Sequence, residues 1–108
     1  MEIGEKVWNI ASAWGYFEKD TIGKQLVRAA DSISANISEG FGRYHYKDSK
    51  NFGYYARGSL FETRSWIKKA YTRMLITEKD YGNLIGEIEI IGASLNKLIN
   101  STGKSSSK

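Results

Sequence analysis

Apolar residues recur at i, i+3, i+4 and i+7 along four stretches of the chain, and no segment sustains an alternation of apolar and polar positions. The pattern therefore predicts an all-α protein of four amphipathic helices. Ile3, Val7, Ile10, Ala11 and Trp14 place a first helix over residues 2–15, ending near Gly15. After a short link, Tyr16 to Lys19, Asp20 or Thr21 is placed to cap a second helix. Its buried stripe is Ile22, Leu26, Ala29, Ala30, Ile33 and Ile37, and Gly40 and Gly42 are expected to stop it. A third helix is expected from about Lys47 to Arg73, with Phe52, Tyr55, Ala56, Ser59, Leu60, Thr63, Trp66, Ile67, Ala70 and Met74 near one face. Thr77 or Asp80 begins the fourth. Its stripe of Tyr81, Leu84, Ile85, Ile88, Ile91, Leu95, Leu98 and Ile99 is the strongest periodic signal in the chain. Short links between such helices predict an antiparallel up-down-up-down four-helix bundle over residues 1–100. Residues 101–108, rich in Ser and Lys, read as a flexible tail.

At 108 residues the chain suffices for one domain, and its small core favours burial against copies of itself. Proline is absent, which suits long uninterrupted helices. Cysteine is absent too, which removes disulfides, thiolate catalysis and Cys-ligated zinc. No basic, apolar secretory leader opens the sequence, and no run approaches the roughly 20 apolar residues that cross a bilayer. A cytoplasmic location is expected.

The formal charge of +4 is unevenly spread. Between Gly40 and Leu75 stand Arg43, Lys47, Lys50, Arg57, Arg64, Lys68, Lys69 and Arg73 against only Asp48 and Glu62, so the remainder is slightly acidic. On a helical projection Lys50, Arg57, Arg64 and Lys68 fall within about 40° of one another, on a face nearly opposite the apolar one, in a ridge about 27 Å long. Long cations in a row suit a nucleic-acid backbone, RNA or DNA. They suit equally a solvated outer face or an acidic protein partner.

Beside the ridge, Arg43 and Lys47 flank Tyr44, His45 and Tyr46, aromatics that can stack on bases or anchor an interface. Asn36, Glu39 and Arg43 gather polar groups where the second helix ends at Gly40-Phe41-Gly42. A capping and subunit-contact role fits them better than a phosphate pocket, because no strand precedes these glycines. Gly58, in the middle of the third helix, costs about 1 kcal/mol relative to alanine, and close helix packing is its expected compensation. One histidine without a clustered partner supports neither a metal site nor a catalytic base. The paired Glu and Glu-x-x-His motifs of diiron bundles are missing. Arg43 and His45 also stand too close together for the arginine and histidine spacing of small helical ribonucleases. No enzyme, metal or cofactor is expected.

The run Ser32-Ile33-x-Ala35-Asn36-Ile37-x-Glu39-Gly40-Phe41-Gly42-Arg43, followed by Phe52 and by Ala56-Arg57-Gly58-Ser59-Leu60-x-Glu62, resembles the signature of the 23S rRNA intervening-sequence protein family of bacterial four-helix bundles. The resemblance runs from Gly23 to about Ile99. It implies a small up-down bundle that forms a homopentameric ring, a link to insertions in large-subunit rRNA genes, nucleic-acid binding, and no catalytic residues. The family is similar in fold to the accessory variability determinant proteins of diversity-generating retroelements, which implies a reverse-transcriptase-type enzyme as an alternative partner. Ser34 stands where many relatives carry proline, so a weaker kink is expected there. The segment before the first helix is shorter than in most relatives.

Overall fold

The apolar stripe that is clearest in the sequence forms the inner face of the longest helix. In a computed structural model, which describes residues 2–41 and 46–106 and the side chains of 2–40 and 50–100, helix α4 spans Glu78–Ser106. It buries Leu84, Ile88, Leu95 and Ile99. Thr77 starts it as expected: its hydroxyl accepts the Asp80 amide at 3.1 Å, satisfying a donor that the first turn leaves unpaired. The backbone stays helical to Ser106, past the end at Asn100 that composition suggested.

Helix α3, Tyr46–Thr72, lies antiparallel to α4 and buries Ala56, Leu60, Thr63, Ile67 and Ala70. The two helices approach closely at Gly53, where a β-carbon would stand 2.9 Å from Ile99 Cγ1. Tyr71 stacks on Tyr81 at the other end, with centroids 4.1 Å apart. Met74 ends α3 in the left-handed region at φ 63°. Its amide bonds to Tyr71 O and that of Leu75 to Ala70 O, both at 2.9 Å, the paired pattern of a Schellman terminus.

The N-terminal half departs from the sequence reading in three ways. Helix α1, Glu2–Ala11, stops short of Gly15. Helix α2 begins at Tyr16, earlier than expected, and runs through Tyr16–Glu18, a π-helical turn at Lys19–Gly23, and Lys24–Phe41 without a break. Asp20 and Thr21 therefore sit inside the helix and do not cap it; the Thr21 hydroxyl donates back to Phe17 O at 2.8 Å. Extended Gly15 precedes the first turn and supplies no side-chain cap. At the far end α2 passes through Gly40, which does not stop it, and it also passes Ser34 unbroken.

Helix α1 packs on α2 and α4, with Ile3 and Val7 fully buried and Lys6 Nζ 3.3 Å from Glu87 Oε2. Ten residues give it only about 15 Å, against about 40 Å for α3. Its N-terminal end meets α2 at Asp31, so α1 covers only one half of a molecule that measures 52 × 22 × 17 Å. At that covered end Trp14 Nε1 donates to Leu75 O at 3.0 Å, joining the α1–α2 and α3–α4 turns.

Candidate nucleic-acid interface

One continuous helix, Tyr46–Thr72, carries all four ridge cations, so they keep the helical spacing that the sequence assigns them. Lys50 and Arg57 are half-buried, and Arg64 and Lys68 are exposed. Arg57 donates to Asn96 Oδ1 of α4 at 2.7 Å and lies 5.1 Å from the Tyr54 ring centroid. The ridge is thus a flank of α3 beside α4, not the face opposite the core. A helical projection gives angles about one axis only, and the position of α4 decides which of those angles are covered. The fully outward face carries instead Tyr54, Phe61 and Ser65.

Among the described residues no carboxylate pairs with Lys50, Arg57, Arg64 or Lys68. The reason lies in Glu62, the one acid between Lys50 and Arg73. It is ion-paired to Arg28 of α2 and accepts the Trp66 indole N–H at 3.2 Å. Lys69 stands over the Trp66 ring at 4.9 Å. Arg64 and Lys68 are the two ridge cations that are both exposed and uncompensated. Arg43, Tyr44, His45 and the side chains of Tyr46 and Lys47 lie outside the described residues.

Asn36 is turned toward α3. Its amide donates to Ser32 O at 2.9 Å and Ser32 Oγ at 3.2 Å, and that hydroxyl is 2.9 Å from Ser59 Oγ. Glu39 is exposed on the last turns of α2, and Gly40 is buried. Gly58 contradicts the expectation of close packing within the chain. It is exposed, and a β-carbon there would meet nothing within 4 Å. The helix–helix contact is made by the next residue, Ser59.

One feature was missed by pattern reading: a groove of about 580 Å³ between α1 and α2, lined in part by Trp8, Tyr16, Lys19 and Lys24. The available signal was Trp8 itself, a large aromatic that falls off the apolar stripe of its helix. Among the described residues no three His, Asp or Glu side chains gather as metal ligands, and no helix is long and apolar enough to cross a membrane.

The chain is similar over its length to a solved protein of unknown function from the S23 ribosomal protein family of Bacteroides thetaiotaomicron VPI-5482. The two share 23% identity at a TM-score of 0.81, with 91% of this chain and 92% of that one covered, a likeness of fold. No curated protein matches the chain. The sequence pattern of the 23S rRNA-intervening sequence proteins matches residues 1–97. With that match reaching from α1 into α4, the chain belongs to the 23S rRNA-intervening sequence protein family.

Proposed function

We propose that the protein is a non-enzymatic, homo-oligomeric RNA-binding bundle of the cytoplasm that holds a phosphate backbone along the α3 flank. The observation that carries this reading is the uncompensated pair Arg64 and Lys68. Both are exposed on a helix whose nearest acid, Glu62, is already committed to Arg28. Cations in that state are free to neutralise phosphates and so release the cations condensed on a nucleic acid, which is the main source of sequence-independent affinity for it. The family's name, which refers to 23S rRNA, favours RNA over other polyanions.

Self-association is supported by the outward apolar surface. Phe61 is 57% and Ile90 70% exposed, and beside Phe61 lies Gly58 with open space over it. Uncovered aromatic and aliphatic side chains of this size fit a surface that copies of the chain cover. By the family resemblance the assembly is a pentameric ring, in which five flanks multiply the local field.

Arg64→Glu with Lys68→Glu tests the reading. Arg57 is left intact in this variant because it also bonds to Asn96, so its loss would perturb α3–α4 packing. Helix content and light-scattering mass should stay unchanged while retention of structured RNA on a filter at low salt falls at least tenfold. Unchanged retention, or loss of binding only to an acidic co-purifying protein, would overturn it.

A further inference from the structure

The groove between α1 and α2 uses none of the α3 ridge cations; its lining includes Arg28, whose guanidinium is already ion-paired to Glu62 of α3. Of its lining, Ala11 and Gly23 are buried, whereas Trp8 and Tyr16 are 58% and 84% exposed and Lys19, Asp20 and Lys24 are exposed with them. Two large aromatics are therefore left wet at one concave site of about 580 Å³, within the size range of small-molecule sites.

The π-helical turn Lys19–Gly23 helps to build this arrangement. In an uninterrupted α-helix Tyr16 would lie about 80° away from Lys24. The extra residue of a π turn returns it to within about 20°. Gly23 keeps the turn close to its surroundings, since a β-carbon there would stand 3.2 Å from Glu18 O, 3.4 Å from Trp14 Cε3 and 3.7 Å from Ala11 Cβ at the end of α1.

The polar groups narrow the ligand class. Among the described residues Lys19 has no ion-pair partner. Lys24 faces Asp20 at 3.8 Å with both side chains more than half exposed, a pair that contributes little and yields readily to a stronger anion. A phosphate fits these two ammonium groups, and a planar ring fits the aromatic faces. Asp20 only accepts hydrogen bonds, so it selects a base edge that donates. Guanine offers adjacent imino and amino hydrogens to one carboxylate, whereas uracil offers a single N–H between two carbonyl oxygens that repel it.

We propose that this groove binds an unpaired guanine nucleotide, with the base against Trp8 and Tyr16, its donor edge on Asp20 and its phosphate at Lys19 and Lys24. The nucleotide is either free or exposed in single-stranded RNA. The site is independent of the α3 flank, and the test keeps the two apart.

Equilibrium dialysis of the full-length chain against 5′-GMP, 5′-UMP and a hexamer of uridines with one central guanosine reads the site directly. GMP should bind saturably and at least fivefold tighter than UMP. In the Arg64→Gln with Lys68→Gln background, which removes the α3 flank, a hexamer that binds at least tenfold tighter than GMP identifies RNA as the source, and equal affinity identifies the free nucleotide. Trp8→Leu and the exposed Lys19→Glu should each weaken GMP binding about tenfold, and Asp20→Asn should erase the preference over UMP. Arg64→Gln with Lys68→Gln should leave GMP binding unchanged. Equal affinity for UMP and GMP, no saturable binding of GMP at millimolar concentration, or GMP affinity in Lys19→Glu equal to that of the parent would overturn the proposal.

Discussion

Replacing Met74 with glycine should stabilise this protein, although it removes a large side chain from the end of its central helix. Met74 holds φ at 63°, where the β-carbon of an L residue crowds the following carbonyl at a cost of about 1–2 kcal/mol. Its side chain is 89% exposed, so truncation forfeits little burial. Glycine returns part of the gain, about 0.5–1 kcal/mol, because the unfolded chain becomes more flexible. The two terminal bonds, Met74 N to Tyr71 O and Leu75 N to Ala70 O, are kept. The net expectation is about 0.5–1 kcal/mol of added stability, or a Tm higher by roughly 2–4 °C for a domain of this size. Urea titration at fixed protomer concentration reads it as a shift in midpoint at constant slope. Met74→Ala serves as control, since alanine retains the β-carbon and should change stability by less than about 0.5 kcal/mol. A glycine variant no more stable than the alanine one would refute the strain argument. A glycine variant less stable than the parent would mean that the Met74 side chain is buried in the assembly.

Two further sets of variants test the fold. Thr77→Ala removes the hydroxyl that caps α4 and should cost about 1 kcal/mol in thermal or urea unfolding, whereas Thr77→Ser should recover most of it. Ser32→Ala and Ser59→Ala break a side-chain hydrogen bond at the half-buried crossing of α2 and α3. A double-mutant cycle should give a coupling of about 0.5–1.5 kcal/mol, and additive losses would show that the hydroxyls act separately.

The bundle was legible because burial alone sets its period. Leu84, Ile88, Leu95 and Ile99 line up on any α-helix, and so do Ala56, Leu60, Thr63 and Ile67. The start of α2 was not legible. Asp20 and Thr21 carry the side chains of good caps, yet a helix already running from Tyr16 leaves no free amide for them to cap. A π turn has no composition signal, and it displaces the apolar period by one residue without erasing it. The αL terminus at Met74 was hidden for a similar reason, since glycine ordinarily marks it. At the candidate site, the identity and spacing of Arg64 and Lys68 followed from the sequence. The half-burial of Arg57 did not, because Asn96 lies 39 residues away in the chain. The commitment of Glu62 to Arg28 was equally invisible, as it spans α2 and α3.

The central claim, that exposed α3 cations bind an RNA backbone, is tested most directly by the salt dependence of binding. The logarithm of the affinity for a structured RNA, plotted against the logarithm of salt concentration, has a slope set by the number of phosphates neutralised. Arg64→Gln with Lys68→Gln should flatten that slope by roughly 1.4 to 1.8 for each protomer that contacts the RNA, depending on strandedness. A slope identical to that of the parent protein would contradict the account, because it would mean that neither cation touches a phosphate.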